Sequence, residues 1–194
     1  MPPPSKRDNF RPDLFPVGAA RLLKQWKLEG RLFHPERWGG YIGWETGGLY
    51  PVFNDGRWIT IGKKVQQDGH VIAYRMPNAS KKLKKYGIDL MLQPRGWMTE
   101  RQRKRKWLPL FENVNAGLYL RRAPHTQADL ERVKEYYANR GVPFDPELGF
   151  DEQSVFEKNE PWANRFGVRR THRNQFRMSS REIQRNGGRR VRGW

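Results

Sequence analysis

The chain has 194 residues, with 38 Lys or Arg against 20 Asp or Glu and a formal net charge of +18. A pI of about 10.6 and a mean hydropathy of -0.96 point to a polyanionic partner, and no run approaches the ~18 apolar residues of a membrane span. The absence of cysteine excludes disulfides, a thiol nucleophile, iron–sulfur ligation and every cysteine-based zinc site.

Eight Trp, seven Tyr and ten Phe are too many for a polar disordered linker, so a modest core with basic extensions is expected. The opening MPPPSKRDNF has no apolar secretory region, and its prolines and Asp8 make a poor amphipathic transit helix. From there, PVGAARLLKQWKLEG places Ala19, Leu22, Leu23 and Trp26 on one helical stripe, with Gly30 as a stop. Between Tyr41 and Met76 the runs LYPVF, RWITI and HVIAYRM, punctuated by Asn54-Asp55-Gly56 and Asp68-Gly69, read as an antiparallel meander. GGYIGWETGG reads as tight turns between aromatic strands.

Ser80 is placed to cap a short basic helix, KKLKKY, closed by Gly87, and IDLML reads as a buried strand. Thr99 and Gln102 form a capping-box pattern ahead of RQRKRKW, whose crowded cations favour a bound anion. TQADLERVKEYYANRG predicts a helix capped by Thr126, with Asp129 in its first turn, a Leu130, Val133, Tyr137 stripe and Gly141 as stop. GVPFDPELGFDEQSVFEKNEPW reads as a strap without regular period. A last short helix is expected where Ser179 and Glu182 match a capping box and Gly187-Gly188 end it.

The fold class expected is α+β: a small antiparallel β meander or barrel with flanking short helices and long basic, partly irregular extensions. Residues 1–40 form an N-terminal strap and amphipathic helix, and 41–125 a small β-rich core with basic helices. Residues 126–161 form an acidic helix and Pro/Phe-rich strap, and 162–194 an Arg-rich arm. Charge follows these divisions, because residues 129–161 carry nine acidic and four basic side chains whereas 162–194 carry ten arginines and one glutamate.

Catalytic signatures do not emerge. His34, His70, His125 and His172 lie far apart without ligand-type spacing, and read as surface or contact residues. GRWITIGKK misses a phosphate loop by one residue and lacks its Ser or Thr, and Glu45, Asp55 and Asp68 show no metal-pair spacing. Asn78-Ala79-Ser80, formally a glycosylation sequon, reads better as a helix cap. The expectation is a protein without catalytic activity, metal or cofactor.

The cations instead form separated patches: Lys81, Lys82, Lys84 and Lys85; Arg101, Arg103, Lys104, Arg105 and Lys106; and Arg121 with Arg122. The arm adds Arg165, Arg169, Arg170, Arg173, Arg177, Arg181, Arg185, Arg189, Arg190 and Arg192. Trp97, Trp107 and Trp162 lie near these in sequence, whereas Trp26, Trp44 and Trp58 fall on apolar stripes that suit a core. Arginine binds phosphate bidentately and stacks on bases, contacts that folded RNA offers together, with Phe166, Phe176 or Trp194 as stacking candidates. Because the arm brings few apolar residues, deletion of 163–194 is expected to leave the rest folded.

A small aromatic core, Pro-rich straps, an acidic helix and an arm ending in GGRRVRGW resemble, in composition and layout, the organelle-specific mitochondrial ribosomal proteins. The resemblance implies a structural, rRNA-binding constituent of a ribosome in the mitochondrial matrix, with arms between rRNA helices and the acidic 129–161 block facing neighbouring ribosomal proteins. The same charge pattern would serve a virion protein contacting packaged nucleic acid. It would also serve a nuclease whose carboxylates converge only in three dimensions, or an accessory subunit of a respiratory membrane complex.

Overall fold

A computed structural model describes residues 11, 14–54 and 62–169 of the chain. Its centre is an open four-stranded sheet built from β1 (Arg31–Phe33), β2 (Ile88–Pro94), β3 (Trp107–Glu112) and β4 (Ala116–Arg121), in the order β1-β2-β4-β3. The β1–β2 pair is parallel and the other pairings are antiparallel. The helices are α1 (Val17–Trp26), α2 (Gly39–Thr46), α3 (Lys63–Ala73), α4 (Ala79–Lys85), α5 (Glu100–Arg105), α6 (Gln127–Ala138), α7 (Glu152–Lys158) and α8 (Glu160–Arg165). The α+β class is as expected, but the sheet is mixed and open, neither a barrel nor a simple meander.

Period-two alternation sends side chains to two separate cores. Leu90, Leu92, Leu118, Leu120, Leu108 and Leu110 face the larger one, where they meet α1, α2, α6, Val155 of α7 and Trp162 of α8. Met91, Tyr119 and Trp107 face the smaller one, where Ile72 of α3, Leu83 of α4, Tyr86 and Met98 pack on them. Helices therefore cover both faces. A bulge between Pro109 and Phe111 lets consecutive Leu110 and Phe111 both enter the larger core and returns Glu112 to the opposite side.

The α1 stripe of Ala19, Leu22, Leu23 and Trp26 is buried as predicted. Lys27, left-handed at φ 50°, ends that helix before Gly30. The Tyr50 hydroxyl then donates to Leu23 O (3.0 Å), which also accepts from Lys27 N, and accepts from Leu28 N (2.9 Å), a donor beyond the helix end. Asp129 of α6, 4% exposed, accepts from Glu29 N (2.9 Å) and Gly30 N (3.0 Å) and so fastens α6 to the α1–β1 link. Thr126 makes no capping bond to α6; its hydroxyl donates to Arg121 O at the end of β4 and to Ala123 O just before the 3₁₀ turn Pro124–Thr126.

Several expectations are corrected. GGYIGWET is helix α2 and HVIA ends helix α3, because buried Ile42 and Ile72 belong to helical stripes and tertiary packing overrides the β propensity of Ile, Val and Tyr. Residues 49–53 form no strand, and RWITI with Trp58 lies outside the described residues. Trp44 is 49% exposed, not core. The strap contains α7, capped by the Asp151 carboxylate accepting from Ser154 N (2.8 Å), and α8, capped by Asn159 accepting from Trp162 N (3.2 Å).

The boundaries near 126 and 162 are not structural ones. Tyr137 of α6 stacks on Phe144 at 5.1 Å, lies edge-on to Trp162 at 5.6 Å, and donates its hydroxyl to the bulge carbonyl of Leu110 (2.8 Å). Ala163, Phe166 and Val168, placed in the arm by charge, are 0%, 4% and 1% exposed. Phe166 thus fills core and is not a stacking candidate. Phe176, Trp194 and the Ser179/Glu182 capping box lie outside the described residues.

The 145–150 turn covers the β3 edge, where Phe150 N donates to Pro109 O (2.9 Å). Gly149, at φ 87°, would place a Cβ 2.4 Å from that same carbonyl oxygen. Gly149→Ala therefore combines a left-handed backbone with a backbone clash, and is expected to cost about 2–4 kcal/mol, read as a lowered urea midpoint at unchanged m-value.

Candidate nucleic-acid interface

The layer on the smaller core's side of the sheet, α3, α4 and α5, is where the predicted lysine and arginine runs fall. Helix α4 ends as expected at Gly87, φ 60°, although Asn78, not Ser80, is its N-cap, without a side-chain bond. Helix α5 begins with the predicted capping box: Gln102 N donates to the Thr99 hydroxyl (3.3 Å), and the Gln102 side chain returns to Thr99 N (3.0 Å). Leu83 and Tyr86 anchor α4 on the smaller core, and Arg103 anchors α5 over the Tyr119 ring at 5.9 Å. The remaining faces point outward.

Six of the eleven contacts predicted between residues 81 and 122 are occupied from within. Asp68 of α3, 4% exposed, holds Lys82 Nζ at 2.5 Å and Lys85 Nζ at 2.7 Å and accepts from the Tyr86 hydroxyl at 2.8 Å. Arg103 donates to Glu112 Oε2 and Tyr119 to Glu112 Oε1, both at 2.6 Å. Arg121 meets Asp89 at 3.1 Å, donates to Ile88 O and covers the Trp107 ring at 5.3 Å. Arg122 donates to Glu147 O at 2.5 Å. Lys104 pairs with Glu100 at 2.7 Å, but both are largely exposed, and such a pair opens at little cost.

Lys81, Lys84, Arg101, Arg105 and Lys106 are exposed and have no carboxylate partner among the described residues. They stand on α4, α5 and the link after it, on one side of the sheet. The acidic α6 and α7 belong to the other side, where Glu152 takes both guanidinium nitrogens of Arg95 at 2.6 and 2.5 Å. Burial pushes the Glu152 carboxyl up from its ordinary range even so. Arg165 and Arg169 are also exposed; Arg170, Arg173, Arg177, Arg181, Arg185, Arg189, Arg190 and Arg192 lie outside the described residues.

The aromatic residues near the cations divide similarly. Trp107 and Trp162 are 5% and 8% exposed and serve the cores. Trp97 is half-buried, its indole N–H donating to Ala73 O (2.7 Å), with the Arg75 guanidinium 4.4 Å from its ring centre. Among the histidines, His34 is 1% exposed, with one ring nitrogen on Pro35 O (3.0 Å) and the other accepting from Phe53 N (3.2 Å). His125 meets Asp89 at 3.1 Å, and His70 packs on Tyr74 at 4.3 Å; His172 is outside the described residues. Among the described residues no three His, Asp or Glu are grouped to hold a metal ion, and no helix is long and apolar enough to cross a membrane.

The role of Asp68 was hidden by the Asp-Gly turn signal, yet Val65, Asp68, Gly69 and Ile72 keep helical spacing and place the carboxylate on the buried stripe. The Lys82 ammonium, with Lys85 and the Tyr86 hydroxyl, holds the Asp68 carboxyl well below the usual range. Its stabilising contribution is complete above the unfolded Asp pKa of about 3.9 and is lost as pH falls below it. Asp68→Asn is expected to lower the melting temperature at neutral pH, flatten its decline between about pH 4 and 2, and tighten polyanion binding by freeing two lysines. Melting curves against pH and a polyanion titration check the opposed signs.

Comparison with protein-family models, curated proteins and solved structures finds no match to this chain.

Proposed function

We propose that the chain is a non-catalytic RNA-binding structural constituent of a ribonucleoprotein particle, a ribosome, and within the cell a mitochondrial one. The observation that carries the reading is a cluster of free cations: Lys81, Lys84, Arg101, Arg105 and Lys106 stand without carboxylate partners on the α4–α5 layer. Cations held on rigid helices, supported by internal bonds from their neighbours, suit phosphates at fixed spacing. The 162–194 segment adds ten arginines, whose planar forks fit phosphate and stack on bases. The net-acidic 129–161 block suits basic protein neighbours by charge complementarity. The structural use of His34 and of Glu112 favours a scaffold over a catalyst. The mitochondrial assignment rests on the compositional resemblance alone.

The test is to tag the full chain in its native cells, separate mitochondria from cytosol, and sediment each extract on a gradient before and after ribonuclease. Co-migration with rRNA in the mitochondrial fraction, collapsing after ribonuclease, is expected. Light, ribonuclease-insensitive fractions would overturn the RNA reading, and an RNA-bound cytosolic pool would overturn only the compartment.

A further inference from the structure

On the side of the sheet that carries α3 and α4 a wide cleft opens at the carboxyl ends of the parallel strands β1 and β2, with a volume of about 1000 Å³. Parallel strands whose exits diverge leave such a crevice, a common place for ligands. Phe33 and Gln93 form its floor, helix α3 one wall, and Phe53, Tyr74 and Trp97 contribute rings around it. Gly69 belongs to this construction: a Cβ there would come 3.1 Å from the Phe53 ring, and a helix-interior glycine costs about 1 kcal/mol relative to alanine. The close approach of ring to helix accounts for its presence.

Gln93 supplies the polar specificity. It is 1% exposed, and its amide Nε2 has no hydrogen-bond partner among the described residues. A buried donor left unmade is costly, and an incoming acceptor would satisfy it. His34, by contrast, already has both ring nitrogens in use, and the Trp97 N–H is given to Ala73 O. At the cleft, exposed Arg37 lies 5.4 Å from the Trp38 ring centre, and Arg75 covers Trp97.

A ligand fitting this set has a flat uncharged ring to lie among aromatic side chains, a carbonyl or ring-nitrogen acceptor for Gln93, and an anionic tether for the arginines. Glu36 on the lining disfavours placing the anion inside. We propose that this cleft is a nucleobase pocket, taking an unstacked base of the bound RNA while Arg37 and Arg75 receive the flanking phosphates. The proposal rests on the RNA reading and adds to it a contact that electrostatics alone would not produce.

Calorimetry with the full chain distinguishes the two. The probes are a single-stranded oligoribonucleotide, an abasic oligomer of equal length and charge, and free nucleoside monophosphates. The base-containing strand should bind roughly tenfold more tightly than the abasic one. Gln93→Leu should erase that difference while leaving abasic binding, its salt dependence and the melting temperature intact or raised, since it removes an unsatisfied amide. Tyr74→Ala, at a residue 70% exposed and therefore dispensable for folding, should reduce the difference independently. Monophosphates binding as tightly as the strand would assign the pocket to a free nucleotide and overturn the RNA-base proposal. Equal binding of both oligomers by the unaltered chain would overturn the pocket and leave the phosphate interface standing. Binding of neither would remove both readings. A base preference unaltered in both variants would place it elsewhere and sink this site.

Discussion

A chain shortened to residues 1–169 is expected to melt within a few degrees of the full protein, whereas one shortened to 1–162 should be largely unfolded at 37 °C. The two shortened chains differ by seven residues, but those include Ala163, Phe166 and Val168, all buried in the larger core. The Phe166 ring lies 4.5 Å from Trp162 and 6.4 Å from Phe111, and Phe166 O accepts from the buried Asn113 amide at 2.9 Å. A Cβ on Gly18 of α1 would lie 2.5 Å from that carbonyl oxygen, so the first and last described helical regions meet with little space between them. Loss of a buried Phe alone costs about 3–5 kcal/mol, a large share of the 5–15 kcal/mol that typically holds a domain together. Circular dichroism melting reads the result, and a 1–162 chain melting with the full protein would mean these contacts contribute nothing. The 1–169 chain also loses eight arginines and one glutamate, so it should bind RNA more weakly while remaining folded. The pair thereby tests phosphate binding by residues 170–194 separately from core packing by residues 163–169.

That boundary shows where sequence pattern loses its power. Charge marked a change at residue 162, and it is real as charge, but Trp162, Ala163 and Phe166 carry a helical apolar spacing that ten arginines obscured. The α1 stripe, the β2 run and the Thr99 capping box were legible because each is a local pattern of propensity, period or side-chain reach. The β3–β4 hairpin was not, although LPLFENVNAGLYL holds two apolar runs around Asn113-Val114-Asn115. Its bulge breaks the alternation, and its turn is held by Asn113 accepting from Asn115 N and Ala116 N at 3.0 Å each instead of by an Asn-Gly pair. The aromatic and Ile/Val-rich segments GGYIGWET and HVIA misled in the opposite direction, since those residues also suit helices packed on a sheet. Within the interface the cationic runs were evident, but not which cations are free. Lys82 and Lys85 meet a carboxylate more than a dozen residues away, and Arg103 one on the strand beneath it, so only the folded arrangement sorts them.

That sorting leads to the second large effect. Replacing Lys81, Lys84, Arg101, Arg105 and Lys106 together by Gln should leave the melting temperature nearly unchanged, because all five are exposed and none meets a carboxylate among the described residues. If each contacts one phosphate, the slope of log K against log salt should fall by roughly 0.7–0.9 per residue, or about 4 in all. The matched control replaces Lys82, Lys85 and Arg103. Those changes strand the buried carboxylates of Asp68 and Glu112, so they should lower the melting temperature and leave the slope close to that of the unaltered protein. The opposition is the informative part, since a change that merely reduced net charge would shift both sets alike. Titration of the two variants with one structured RNA at several salt concentrations, beside their melting curves, reads it directly. Equal slopes for the five-residue variant and the parent would mean that the α4–α5 layer faces solvent in the complex and that the arm alone engages RNA.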